Sequence, residues 1–129
     1  MEGKLPYACH TISLMHILGK RWAIPILENF NSARENLQFR TIEEDLNGIT
    51  PKNLSRSLKD LCLVQVLEKE ELIESGLVHT EYRLTEKGML ARKFIKDTKR
   101  LGICMYGIDA SCINRKCSRC PLLKGRQVA

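Results

Sequence analysis

Apolar positions keep a helical period over the first half of the chain. They switch to strand-like runs after Val64 and return to a helical period after Thr85. TISLMHIL (11–18) predicts a short helix with Ile12, Met15 and Leu18 toward a core, broken at Gly19. KRWAIPILENFNS predicts a second helix that stacks Trp22, Ile26 and Phe30 at i, i+4 spacing, thickened by Ala23 and Leu27. Pro25 has no amide proton and costs least in a first helical turn, so this helix should start near Arg21 or bend there. SARENLQ is polar and reads as a loop. FRTIEEDL spaces Phe39, Ile42 and Leu46 for a third helix, and Asn47-Gly48 is a turn signal. In ITPKNLSRSLKDLCLV, Thr50 suits an N-cap and Pro51 the first helical position. Leu54, Leu58 and Leu61 form one stripe there, and Lys52, Asn53, Arg56 and Lys59 fall away from it.

Past Val64 two short strands are expected: Val66 to Lys69 going out and Thr80 to Leu84 returning, with Ser75-Gly76 near the turn. Thr85 then caps a long helix, TEKGMLARKFIKDTKRLGICMYG. Leu90, Phe94 and Leu101 line one face of it, and Ala91 with Ile95 an adjacent row. The fold class is therefore mainly α with a small antiparallel β-hairpin (α+β): a winged helix-turn-helix with a long C-terminal helix. Residues 1–103 read as that domain, and residues 104–129 as a cysteine-rich basic tail that binds a metal or cluster. In a helix-turn-helix the second helix enters the major groove with its N-terminal side chains at base edges. Lys52, Asn53, Ser55, Arg56 and Lys59 hold that position. Arg pairs with guanine and Asn with adenine. Lys52, Asn53 and Arg56 are thus expected to read bases, while Lys59, Lys20 and Arg83 hold phosphate. The bland reading is an ordinary amphipathic helix with a solvated polar face.

Charge sharpens this picture. The formal net charge is +6. Residues 92–126 carry ten Lys/Arg against two Asp, while the remainder carries eleven basic against thirteen acidic residues. Such a basic block attracts nucleic acid through counterion release. No apolar run approaches the roughly 20 residues of a membrane helix. MEGKLPYACH has no apolar signal-peptide core, so a cytoplasmic protein without membrane contact is expected.

MHILGKRWAIPILENF, GITPKNLSRSLKDL and HTEYRLTEKG together resemble the HxlR-type winged-helix transcriptional regulators, relatives of the MarR group. The residues that carry the resemblance are Cys9, Gly19-Lys20-Arg21-Trp22, Gly48-Ile49-Thr50-Pro51-Lys52 and Tyr82-Arg83-Leu84-Thr85-Glu86-Lys87-Gly88. The resemblance spans about residues 9 to 100. It implies a homodimeric protein that binds specific double-stranded DNA. It also implies dimer contacts from the first and last helices, and a redox or electrophile sensor at Cys9. His10 stands where the family commonly has proline. The wing is acidic, with Glu68, Glu70, Glu71 and Glu74 around Lys69, which leaves phosphate contacts to His79, Arg83 or Lys69.

The tail is no part of the usual family pattern. CMYGIDASCINRKCSRCP spaces Cys104, Cys112, Cys117 and Cys120 as C-x7-C-x4-C-x2-C-P. Four thiolates complete a tetrahedral zinc site, and the C-x2-C pair is the usual two-ligand unit. The Cys120-Pro121 ending also occurs in ferredoxin patterns, so an iron–sulfur cluster is the second reading. Plain thiols or disulfides are the third. Arg115, Lys116 and Arg119 favour thiolates. Cys62 is expected to be a buried small apolar residue. The chain has no P-loop, no HExxH and no nucleophile elbow, so it is not expected to be an enzyme. The rival to a DNA-binding regulator is a winged-helix adaptor that docks on a transcription or repair assembly and carries a structural metal.

Overall fold

The computed structural model describes residues 4–31 and 34–106. The order is α1 (His10–Leu18), α2 (Ala23–Leu27), β1 (Asn36–Gln38), α3 (Phe39–Asp45), α4 (Pro51–Leu63), β2 (Leu67–Glu74), β3 (Leu77–Leu84) and α5 (Glu86–Tyr106). A helical body thus carries a three-stranded antiparallel sheet of order β1-β3-β2.

The core forms where the helical stripes converge. Ile17 and Leu18 of α1, Ile26 and Leu27 of α2, Phe30, Ile42 and Leu46 around α3, and Leu54, Leu58 and Leu61 of α4 are all buried. Pro25 sits at the third position of α2, inside the first turn, where its missing amide proton breaks no helical bond. Lys99 of α5 donates to Glu28 Oε2 at 2.7 Å, both side chains largely buried, which ties α5 to the end of α2.

Four expectations change. The helix expected over KRWAIPILENFNS is only the five residues of α2, which leaves Trp22 at its N-cap and Phe30 beyond its end. α1 buries Ser13, Ile17 and Leu18, and leaves Ile12 and Met15 facing out at 54% and 51% exposure. Buried Ser13 is satisfied: its Oγ donates to the Tyr7 carbonyl at 2.9 Å and accepts from the Tyr7 amide at 3.0 Å. SARENLQ is not only loop. Its last three residues form β1, with Leu37 buried between exposed Asn36 and Gln38 and paired with Tyr82. The hairpin is longer than the two short strands expected. β2 and β3 pair over eight residues each, from Leu67↔Leu84 out to Glu74↔Leu77. The Ser75-Gly76 turn has φ of 53° and 78°, the doubly left-handed geometry that two-residue hairpins favour.

The junction of α4, wing and α5 is tightly specified. α4 ends in a Schellman motif, with the Gln65 amide donating to the Cys62 carbonyl and the Val66 amide to the Leu61 carbonyl. Gln65 takes the left-handed conformation (φ 66°) usually given to glycine, at a cost of roughly 1 kcal/mol. It is held from α5: its carbonyl accepts from Thr85 Oγ1 at 2.7 Å, and its Oε1 accepts from Lys87 Nζ. Thr85 also accepts from the Gly88 amide at 2.9 Å, the cap expected for α5.

Candidate nucleic-acid interface

α3 and α4 are joined through the Asn47-Gly48 turn, and the wing follows directly. Thr50 caps α4, accepting from the Asn53 amide at 3.1 Å, and Pro51 occupies the first helical position. Such a cap stabilises a helix by about 1 kcal/mol. It fixes where α4 begins, and therefore which side chains stand at its N-terminus. Leu54, Leu58 and Leu61 have no exposure and anchor one side of the helix. Lys52, Asn53, Ser55, Arg56 and Lys59 are all exposed. Lys52, Arg56 and Lys59 lie at i, i+4 and i+7, on the side opposite the leucines. None of these three cations has an ionic partner among the described residues.

The two flanking cations are engaged. Lys20 lies 2.8 Å from Asp60 of α4, which fixes its ammonium beside the helix and offsets part of its charge. Arg83 is bound by Glu68 across the wing, and that hydrogen bond, with its Coulombic attraction, raises the guanidinium pKa further. Glu70 stands directly opposite Glu81, and His79 Nε2 lies 3.8 Å from Glu74. The wing tip carries four exposed apolar side chains, Leu72, Ile73, Leu77 and Val78. Next to the wing, the cations of α4 therefore keep their charge uncompensated among the described residues, while those at its flanks do not.

A second exposed surface is apolar. On α5, Ala91, Ile95 and Lys99 face the body, while Leu90, Phe94, Leu101 and Met105 face out. At 100° per residue the last four fall within about 60° of arc. Ile12 and Met15 of α1 are exposed as well.

Cys9 is exposed and takes the N-cap position of α1. Its thiol makes no capping bond of normal geometry. The nearby Ile12 and then Thr11 backbone amides nevertheless hold its pKa below the ordinary cysteine value. Cys62 is half-buried, and burial pushes its pKa up against the opposing pull of Lys69. Cys104 is exposed in the last turn of α5. Cys112, Cys117 and Cys120 lie outside the described residues. Among the described residues no group of three or more metal-ligating side chains converges. No described helix is long and apolar enough to cross a membrane.

Sequence reasoning missed the two residues that mark the junction. Gln65 in a left-handed cap has no sequence signal, since glycine is the expected residue there. Arg92 looked like one more cation of a basic helix.

Helix-turn-helix, hairpin wing and long closing helix together define a winged helix-turn-helix protein. Residues 17–105 match the sequence profile of the HxlR-like helix-turn-helix family, and the chain belongs to that family. The reduced form of the transcriptional regulator YodB from B. subtilis is similar, with a TM-score of 0.65 and 27% identity over 75% of this chain and 92% of that one. Diamide-treated YodB gives 0.61 and 26%, over 78% and 96%. A possible HxlR family transcriptional factor from Thermoplasma volcanium GSS1 gives 0.56 and 26%, over 71% and 80%. No curated protein sequence matches the chain.

Proposed function

We propose that the protein is a homodimeric transcriptional regulator that binds double-stranded DNA in a sequence-specific way through α4. The observation that carries this reading is helix α4 itself. It is capped, anchored by three buried leucines, and bears three cations with no ionic partner beside Asn53 and Ser55. Lys52, Asn53 and Arg56 read bases in this arrangement. Lys59 holds phosphate, with Lys20 and Arg83 at the flanks once their carboxylate partners give way. Similarity to the HxlR-family factor and to YodB supports the assignment. The exposed stripes of α5 and α1 supply the dimer contacts, and a cytoplasmic location follows from the role.

Arg56→Ala tests the base-reading role. Duplexes selected by the wild-type protein from a random pool should lose about 1–3 kcal/mol of affinity for the variant, and discrimination at one base position should relax. Fluorescence anisotropy on selected and scrambled duplexes measures both. Unchanged discrimination would remove Arg56 from the reading set.

The thiols add a responsive layer to this proposal. YodB has been crystallised reduced and after diamide treatment. Cys9 is exposed, with a lowered pKa. Both facts support a redox-responsive thiol at Cys9. For the tail, the spacing of Cys104, Cys112, Cys117 and Cys120 supports a zinc or iron–sulfur site. Protein purified without oxygen should carry about one zinc per chain, or iron and sulfide with visible absorption, and Cys117→Ser should lose it. Equal, negligible metal in both proteins would leave only thiol chemistry.

One feature favours the adaptor reading. The wing is acidic along its length and apolar at its tip. A gel shift with random duplex at low salt separates the two, because an adaptor leaves the duplex free while a regulator retards it.

A further inference from the structure

The junction of α4, wing and α5 encloses an open cleft of about 1030 Å³. That is large enough for a small-molecule site, which typically spans roughly 300–1,000 Å³. One wall is apolar, made by Cys62, Leu67, Leu84 and Met89. The charged lining is four cations (Lys69, Arg83, Lys87 and Arg92) against three carboxylates (Glu35, Glu68 and Glu86). Arg83 is taken by Glu68, and Lys87 by the Gln65 side chain. Arg92 has neither arrangement. Its Nε is covered and meets no acceptor, and no carboxylate pairs with its guanidinium among the described residues. A partly buried guanidinium without a counter-ion is costly, and covered N–H groups normally find partners. The cleft is one negative charge short.

We propose that this cleft is an effector site for a small amphipathic monocarboxylate. The carboxylate meets the terminal nitrogens of Arg92, and the hydrocarbon body lies on Leu67, Leu84 and Met89. A single negative charge balances the lining, whereas a dianion would have to face Glu35, Glu68 and Glu86 as well. A neutral ligand would leave Arg92 unpaired.

The site is placed to act on α4, a step that rests on the DNA-binding reading. Gln65 lines the cleft, closes α4 in a left-handed turn and is fastened to both Thr85 and Lys87 of the α5 entry. An occupant held on Arg92 that draws Lys87 toward it pulls on that fastening. It thereby changes the angle between α4 and the wing.

Calorimetric titration of the full-length protein with octanoate and 1-naphthoate tests the site without DNA. At least one acid should bind saturably, once per chain, and the uncharged octanamide should bind far more weakly than octanoate. Arg92→Met should weaken the binding by roughly tenfold or more, and Arg92→Lys should keep part of it. Melting curves identify a variant that fails to fold, and Arg92→Lys then carries the comparison. The proposal is overturned if neither acid saturates, if octanamide binds as well as octanoate, or if Arg92→Met binds the acids undiminished. It is also overturned if Arg92→Met loses duplex binding in the absence of any acid, because Arg92 would then have a DNA phosphate as its counter-ion. A protein that binds octanoate but retards no duplex would support the site and remove the regulator reading instead.

Discussion

Gly88→Ala is expected to destabilise the protein by about 3 kcal/mol, although alanine is the better helix former. A methyl group at this position would lie 2.2 Å from the Val66 carbonyl oxygen and 2.5 Å from Leu84 Cδ1. The leucine end can rotate away, but the carbonyl belongs to the wing root and accepts from the Thr85 amide at 3.1 Å. Relief therefore requires α5 to lift off the wing. Overpacking of side chains alone costs about 1–3 kcal/mol, and a backbone neighbour places the cost at the top of that range or beyond. The gain in helix propensity returns at most about 1 kcal/mol, and less in the first turn, where Gly88 sits. A chain of this size should lose on the order of 10 °C in Tm. Urea denaturation followed by circular dichroism measures the loss. An unchanged midpoint would show that the α5–wing contact is soft, and with it the rigid junction on which the effector site depends.

The sequence made α4 legible because its signals agree at every level. Thr50, Pro51, the leucine stripe and the opposing cations all demand one helix in one register. Local propensity and tertiary burial do not compete there. The third strand was hidden because it is three residues long with a single buried side chain, Leu37, too short to display a period. Its existence depends on pairing with β3, a contact more than forty residues away in the chain. α1 was misread for a different reason. Ile12 and Met15 are apolar at helical spacing, and within one chain apolar spacing means core. Their outward placement fits the proposed dimer, in which a second chain covers them, and a single sequence does not announce that. The same ambiguity runs along α5, where Leu90, Phe94 and Leu101 and the adjacent Ala91 and Ile95 are both helical stripes. Only packing against the body decides that Ala91 and Ile95 are inside. The exposed side chains that we propose read bases were placed at the start of α4 from position alone, since that start is fixed by its cap. The engagement of Lys20 by Asp60 and of Arg83 by Glu68 depends on partners 40 and 15 residues away, beyond the reach of local pattern.

Phe94→Glu should convert the proposed dimer to a monomer while leaving the fold intact. Phe94 is 42% exposed, in the middle of the outward stripe, one turn from Leu90 at 68%. In a twofold assembly each copy presents the same stripe, so one substitution introduces two carboxylates into the interface. Neither has a cation to meet on the stripe itself, and burying an unpaired carboxylate is prohibitive beside the few kcal/mol that an apolar anchor contributes. The folded chain does not need Phe94, because Ala91, Ile95 and Lys99 make the contacts to the body. Its circular dichroism spectrum should therefore be unchanged. Each half-site would then be bound independently. The loss of linkage between two recognition helices should lower affinity for a full operator by roughly 10²–10⁴-fold, with no change in which bases are read. Light scattering coupled to size exclusion, beside anisotropy on a selected operator, reads the two effects separately. A monomer with lost affinity and retained base preference places dimerisation on α5 and recognition on α4, as two separable faces of one chain. A variant that remains dimeric would move the interface off this stripe and leave the exposure of Leu90, Phe94, Leu101 and Met105 to be explained by a different partner.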